Sequence, residues 1–164
     1  MKKFLTFVSL FLLLVFQTTA GQYIKPLGVL PNYMLVFIVS YSISNTYPKT
    51  LVFSLVCGLM MDAASAHSPF GLSALLIMYI SLGVCWLTNH FYYDNVVLSL
   101  VLVLISGFVY NFVYLYVTGG ISGEISMFYC FWRYMLPEAL FNCIICIPVR
   151  LWTRCLRNEY IRGI

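Results

Sequence analysis

The sequence predicts an all-α polytopic membrane protein with six transmembrane helices, two of them short. Three observations carry that prediction. Of the 164 residues 62% are hydrophobic and only 9% are charged, whereas soluble domains are about 25% charged. The mean hydropathy is +0.94. The apolar residues are gathered into six segments, approximately 4–20, 29–44, 51–66, 70–87, 96–117 and 134–152. Nine Lys/Arg and five Asp/Glu are too few to coat a soluble surface of this size, so a single integral membrane domain is expected over 1–164, with 153–164 as a basic tail.

The first segment begins with Lys2-Lys3 and runs apolar from Phe4 to Phe16 before Thr18-Thr-Ala20. A cleavable signal peptide has a similar layout, but cleavage would strip the bundle of its first helix. An uncleaved anchor is the expectation. The second and third segments are short, since 16 residues make a helix of roughly 24 Å against a hydrocarbon core of roughly 30 Å. A re-entrant hairpin would strand Ser44-Asn-Thr-Tyr-Pro-Lys49 in lipid, so two short spans are preferred, with Lys49 reaching an interface.

Within the third segment Ser54, Gly58 and Asp62 recur every fourth residue and share one helix face. Small residues there permit close helix approach. Asp62 at the segment end is either hydrated at the interface or held by a specific partner, with Arg133 a conceivable one. In the fifth segment Gly107, Asn111 and Tyr114 neighbour one another. In the sixth, Glu138, Asn142, Cys146 and Arg150 form a polar seam at four-residue steps, which should face protein rather than lipid. Pro137 belongs near that helix's start, where a missing N–H does least harm. The aromatic stretch Phe128 to Tyr134 suits an interfacial belt, and Gly119 to Gly123 form the loop before it.

Orientation follows the cations. With the N-terminus inside and six spans, Lys2, Lys3, Lys49, Arg150, Arg154, Arg157 and Arg162 fall inside, against Lys25 and Arg133 outside. That bias puts both termini in the cytoplasm of a bacterial inner-membrane protein. The dispersed cations leave no nucleic-acid footprint.

Other chemistry is thin. Four of the six cysteines lie in apolar runs, where cysteine acts as a small hydrophobe. Cys143-x-x-Cys146 has no accompanying histidine or second pair. His67 and His90 fall in opposite loops. There is no His-Glu-x-x-His, nucleophile elbow or phosphate loop, and the lysines lie outside the segment interiors. Neither an enzyme nor a bound cofactor or metal is expected.

The order of motifs resembles the MreD family of the bacterial rod-shape system. The matching pieces are Gln17 closing the first span, Pro31-Asn-Tyr33 opening the second, Gly58-x-x-x-Asp62 closing the third, Ser68-Pro-Phe-Gly-Leu72, Leu136-Pro-Glu-Ala-Leu140 with Asn142, and Pro148. Asn32 stands where the family commonly has aspartate. The resemblance implies a non-enzymatic scaffold working with MreC, with MreB filaments, and with RodA and its penicillin-binding transpeptidase. It also implies a fold like the substrate-binding subunits of energy-coupling-factor vitamin transporters. A transporter subunit is the alternative function, disfavoured by the bulky first segment, which lacks small-residue steps for docking an energising subunit. A hydrolase or acyltransferase is disfavoured by the absent nucleophile. Residues expected to bind a partner or shape that surface are Asn32, Gly58, Asp62, Pro69, Gly71, Arg133, Pro137, Glu138 and Asn142. In the six-span topology Asn32, Asp62, Pro69, Gly71, Arg133 and Glu138 fall toward the outer side.

Overall fold

The computed structural model describes residues 2–19, 28–64, 69–91, 96–118, 129 and 131–161. Lys25, His67, Ser68, Gly119, Gly123, Cys130 and Arg162 lie outside them. Every helix found there falls on one of the expected apolar segments: α1 Lys2–Thr18, α2 Tyr33–Ser44, α3 Tyr47–Ala64, α4 Leu72–Phe91, α5 Val96–Val117 and α6 Leu136–Ile161. Among the described residues there is no strand, and a π-helical turn over Phe131–Met135 leads into α6. Three helical stretches are long and apolar enough to cross a membrane: Leu72–His90, Val96–Val117 and Phe131–Thr153.

The shortest helix organises the rest. α2 has 12 residues, nine of them consecutively buried from Met34 to Ser42, and it packs against all five other helices. A helix apolar on every side is stable only when enclosed. Its shortness follows, because its flanks meet protein and need not match the bilayer thickness. The packing partners set directions. Phe16 of α1 meets Tyr33 edge-on at 5.3 Å, at opposite ends of the two helices, and Tyr41 meets Phe53 of α3 at 4.9 Å. α1 and α3 therefore run antiparallel to α2. On the other side, Asn32 meets Asn142 and Ser44 meets Arg150, so α2 and α6 run the same way. The α2–α3 connection is only Asn45 and Thr46, shorter than the expected polar loop, because α3 starts earlier, at Tyr47. Pro48 is accommodated in its first turn, where no helical N–H is lost.

The outward faces of α4, α5 and α6 are apolar: Leu75, Tyr79 and Trp86; Val97, Val101, Ile105 and Val109; Leu140, Ile144, Ile147 and Leu151 are all exposed. The seam of α6 faces inward as expected, with Asn142, Cys146 and Arg150 fully buried. The π-helical turn has a local cause. In an α-helix the ring of Pro137 would press on the Arg133 carbonyl four residues back, and a wider turn relieves that crowding.

Candidate functional site

At the end of the bundle where α1, α3 and α5 finish and α2, α4 and α6 begin, the polar groups converge. The centre is Asp62 at the close of α3, 3% exposed. Its Oδ2 accepts hydrogen bonds from the backbone N–H groups of Gly71 (3.0 Å) and Ala74 (3.1 Å), and its Oδ1 accepts from Ser73 (3.0 Å). A helix N-terminus leaves its first N–H groups without intrahelical acceptors, and an N-cap side chain normally satisfies those of the second and third residues. Gly71 holds the cap position of α4 and has no side chain to offer. It is there for its backbone: φ is +99° in a turn closed by the Leu72 N–H on the Pro69 carbonyl at 3.2 Å, a conformation favouring glycine. Asp62 supplies the missing cap from the neighbouring helix, and its negative charge suits the positive end of the α4 dipole.

Gly58 makes that reach possible. A Cβ placed there would stand 2.3 Å from the Ala74 Cα and 2.8 Å from the Ala74 nitrogen. Any side chain would push α3 off the start of α4 and draw Asp62 away from the amides. The face Ser54–Gly58–Asp62 is buried throughout, so small residues do permit close approach. Asp62 is not a hydrated interfacial carboxylate. Nor does it pair with Arg133, which is exposed in the π-helical turn; three backbone amides occupy it instead.

The same device recurs at α2. Asn32 is its N-cap, accepting from the Leu35 N–H at 3.1 Å, a role that either asparagine or aspartate performs. Gln17 of α1 accepts from the Met34 N–H at 3.2 Å. The Asn32 N–H donates to Asn142 Oδ1 at 2.9 Å, tying α2 to α6. Tyr110 of α5 donates to Ser73 Oγ at 3.2 Å, joining α5 to the capped start of α4. Beside this network Glu138 is partly buried, its carboxyl meeting the side-chain amides of Asn111 and Asn142. Asn142 Nδ2 is buried and falls short of hydrogen-bond geometry with any neighbour. A Cβ at Gly107 would meet that nitrogen at 3.7 Å, an ordinary contact, so glycine is not required there by space.

Of the nine expected residues, six therefore gather at this end in two hydrogen-bonded groups: Asp62 with Gly71, brought close by Gly58, and Asn32 with Asn142 and Glu138. Pro69 is exposed at its edge in the Gly71 turn, Pro137 shapes the entry to α6, and Arg133 stays outside. Ser73, Ala74 and Tyr110 complete the Asp62 group without having been singled out. Ala74 gives no signal in a sequence, because its part is played by its backbone.

The opposite end holds Arg150, 0% exposed, whose guanidinium donates to the Ser40 carbonyl (3.0 Å) and to Ser44 Oγ (2.7 Å). A cation at the C-terminal end of α2 complements the helix dipole. Counting it among the inner-side surface cations misses this; its place on the seam is the signal. Between α1 and α6 lies an apolar groove of about 280 Å³ lined by Leu12, Leu13, Phe37, Pro148 and Trp152 among others. No group of three or more metal-ligating residues is present among the described residues.

Helices apolar on their outer faces, with polar side chains absorbed into capping and bridging one another, define a helical membrane protein of structural character. A family model described as rod shape-determining protein MreD matches residues 1–159, essentially the whole chain. The chain belongs to that family, and it is a rod shape-determining membrane protein. No curated protein and no solved structure matches it. The likeness to energy-coupling-factor subunits is accordingly not shown, and nothing supports a vitamin-transporter function.

Proposed function

We propose that the chain is a non-enzymatic scaffold subunit of the cell-elongation complex, binding MreC and helping to organise peptidoglycan synthesis together with MreB, RodA and its penicillin-binding transpeptidase. In this reading it crosses the inner membrane six times as an uncleaved multi-pass protein with both termini in the cytoplasm. The helix directions support that threading, since α2 and α6, both even-numbered, run parallel while α1 and α3 oppose α2. The cation distribution orients it, and the network around Asp62 and Glu138 then lies toward the outer leaflet.

The observation that carries the reading is the full-length family match together with the use made of the polar groups. Asp62, Asn32, Gln17 and Arg150 are spent on backbone groups of the chain itself, an arrangement that builds a rigid body rather than a reaction centre. A partner helix is expected to seat at the outer end, beside the exposed Trp132 and Tyr134 and the partly buried Glu138. Interhelical hydrogen bonds in membranes contribute roughly 0.6 to 2 kcal/mol each, so packing supplies most of the affinity. The test is depletion in a rod-shaped cell with imaging of shape, alongside affinity capture of the tagged chain and probing for MreC. Rounding cells and co-captured MreC are expected. Normal rods after complete depletion contradict the proposal.

A further inference from the structure

The helices α1 and α6 both lean on α2 but pack mainly on different neighbours beyond it, α1 on α3 and α6 on α5. The groove of about 280 Å³ lies between them. Phe37 of α2, 1% exposed, is its floor. Leu12 and Leu13 form one wall, Pro148 and Trp152 the other, and Ser9 adds a hydroxyl. Leu12, Pro148 and Trp152 are exposed, so the groove opens sideways, toward acyl chains where these helices cross the membrane.

Its two ends differ in charge. α1 runs against α2 and α6 runs with it, so the start of α1 and the last turns of α6 share one end. There the sequence carries Lys2 and Lys3, seven and six residues before Ser9, and Arg154 and Arg157, two and five residues after Trp152. Those steps are roughly 9–10 Å along α1 and roughly 3–8 Å along α6. Arg150 is already engaged on α2, and Glu159 is the one acidic residue in these last turns. At the far end α1 closes on uncharged Gln17 and Thr18, while Arg133 and Glu138 offset each other in net charge. Trp152 stands between the groove and the basic end, and an indole favours headgroup depth.

We infer that this groove binds one anionic phospholipid. An acyl chain lies over Phe37 between the α1 leucines and Pro148, and the headgroup phosphate sits at the basic end, where such lipids are attracted. In the threading proposed above that end is cytoplasmic, so the lipid belongs to the inner leaflet. A partner helix suits the place less well. It is roughly 10–12 Å across with its side chains, too broad for a slot walled by so few residues.

The full-length chain is purified in mild detergent and given equal amounts of dioleoyl phosphatidylglycerol and dioleoyl phosphatidylethanolamine. Retained lipid is read by native mass spectrometry. The wild type is expected to favour phosphatidylglycerol about fivefold, the effect of roughly one basic residue near an anionic surface. Ser9→Trp, which fills the groove, loses both lipids, whereas Lys3→Gln with Arg154→Gln loses only the preference. Equal retention of the two lipids by the wild type, or retention unchanged by Ser9→Trp, overturns the inference. Should Ser9→Trp fail to fold, Trp152 is made the sole tryptophan by Trp86→Phe and Trp132→Phe. Brominated phosphatidylglycerol, dilute in phosphatidylcholine vesicles, should then quench it more than brominated phosphatidylethanolamine does; equal quenching overturns the inference. Ser9→Trp that sheds MreC but keeps its lipid makes the groove a helix seat, which also overturns it. Failure of the wild type to capture MreC contradicts the scaffold reading alone, since lipid retention is read without any partner.

Discussion

Asp62 and Glu138 stand at one end of the same bundle, within reach of the same Tyr110, and the fold treats them in opposite ways. Asp62 arrives at the end of α3 over a glycine that lets the helix backbones nearly touch, and finds the uncapped start of α4 waiting. Glu138 comes three residues after a π-helical turn, one residue after a proline, and finds two carboxamides. The first is a fastening internal to the chain. The second meets two neutral side-chain amides and, among the described residues, no cation. An acidic residue in a membrane helix is thus not one kind of feature: its meaning depends on which donors face it, backbone amides of a helix start for Asp62 and side-chain amides for Glu138.

Substitutions can break or sharpen this contrast. The largest loss is expected from Asp62→Ala. It leaves the buried N–H groups of Ser73 and Ala74 and the part-buried one of Gly71 without this acceptor; at about 1–3 kcal/mol for each buried group, a destabilisation of roughly 2–6 kcal/mol is expected. Thermal unfolding in detergent, read by the loss of the monodisperse peak, measures it. Gly58→Ala comes next, at about 1–3 kcal/mol, because the added methyl meets backbone that cannot swing aside. Ala74→Gly should not rescue it, since the clash is with the Ala74 Cα and nitrogen; rescue would show that the helices slide easily and that Asp62 is not held by close approach. Tyr110→Phe removes one bond to Ser73 and should cost about 1 kcal/mol. Glu138→Gln should change folding stability least, by less than about 0.5 kcal/mol, with the same thermal assay as the check. A loss comparable to that of Asp62→Ala would mean Glu138 is a fastening too.

The six helical segments were legible because membrane-length apolar runs leave little choice of structure. The seam of α6 was legible from its four-residue steps, and the Ser54–Gly58–Asp62 face likewise, since both depend only on helix geometry. The partners of those faces were not. Asp62 bonds to backbone N–H groups, which every residue carries and no letter marks. Arg150 looked like one more interior-side cation, and only the packing of α6 beside α2 shows it bound to Ser40 and Ser44. α2 looked like a marginal span because of its length. Its lack of any polar face was the better guide, for a short helix apolar all round belongs inside protein.

The most direct test compares the thermal stability of two conservative variants, Asp62→Asn and Glu138→Gln. Asp62→Asn lowers the Tm, because an amide cannot accept from all three N–H groups as a carboxylate does, while Glu138→Gln keeps the Tm. A Glu138→Gln protein that unfolds as early as Asp62→Asn contradicts the division between a carboxylate that caps a helix start and one that meets only side-chain amides.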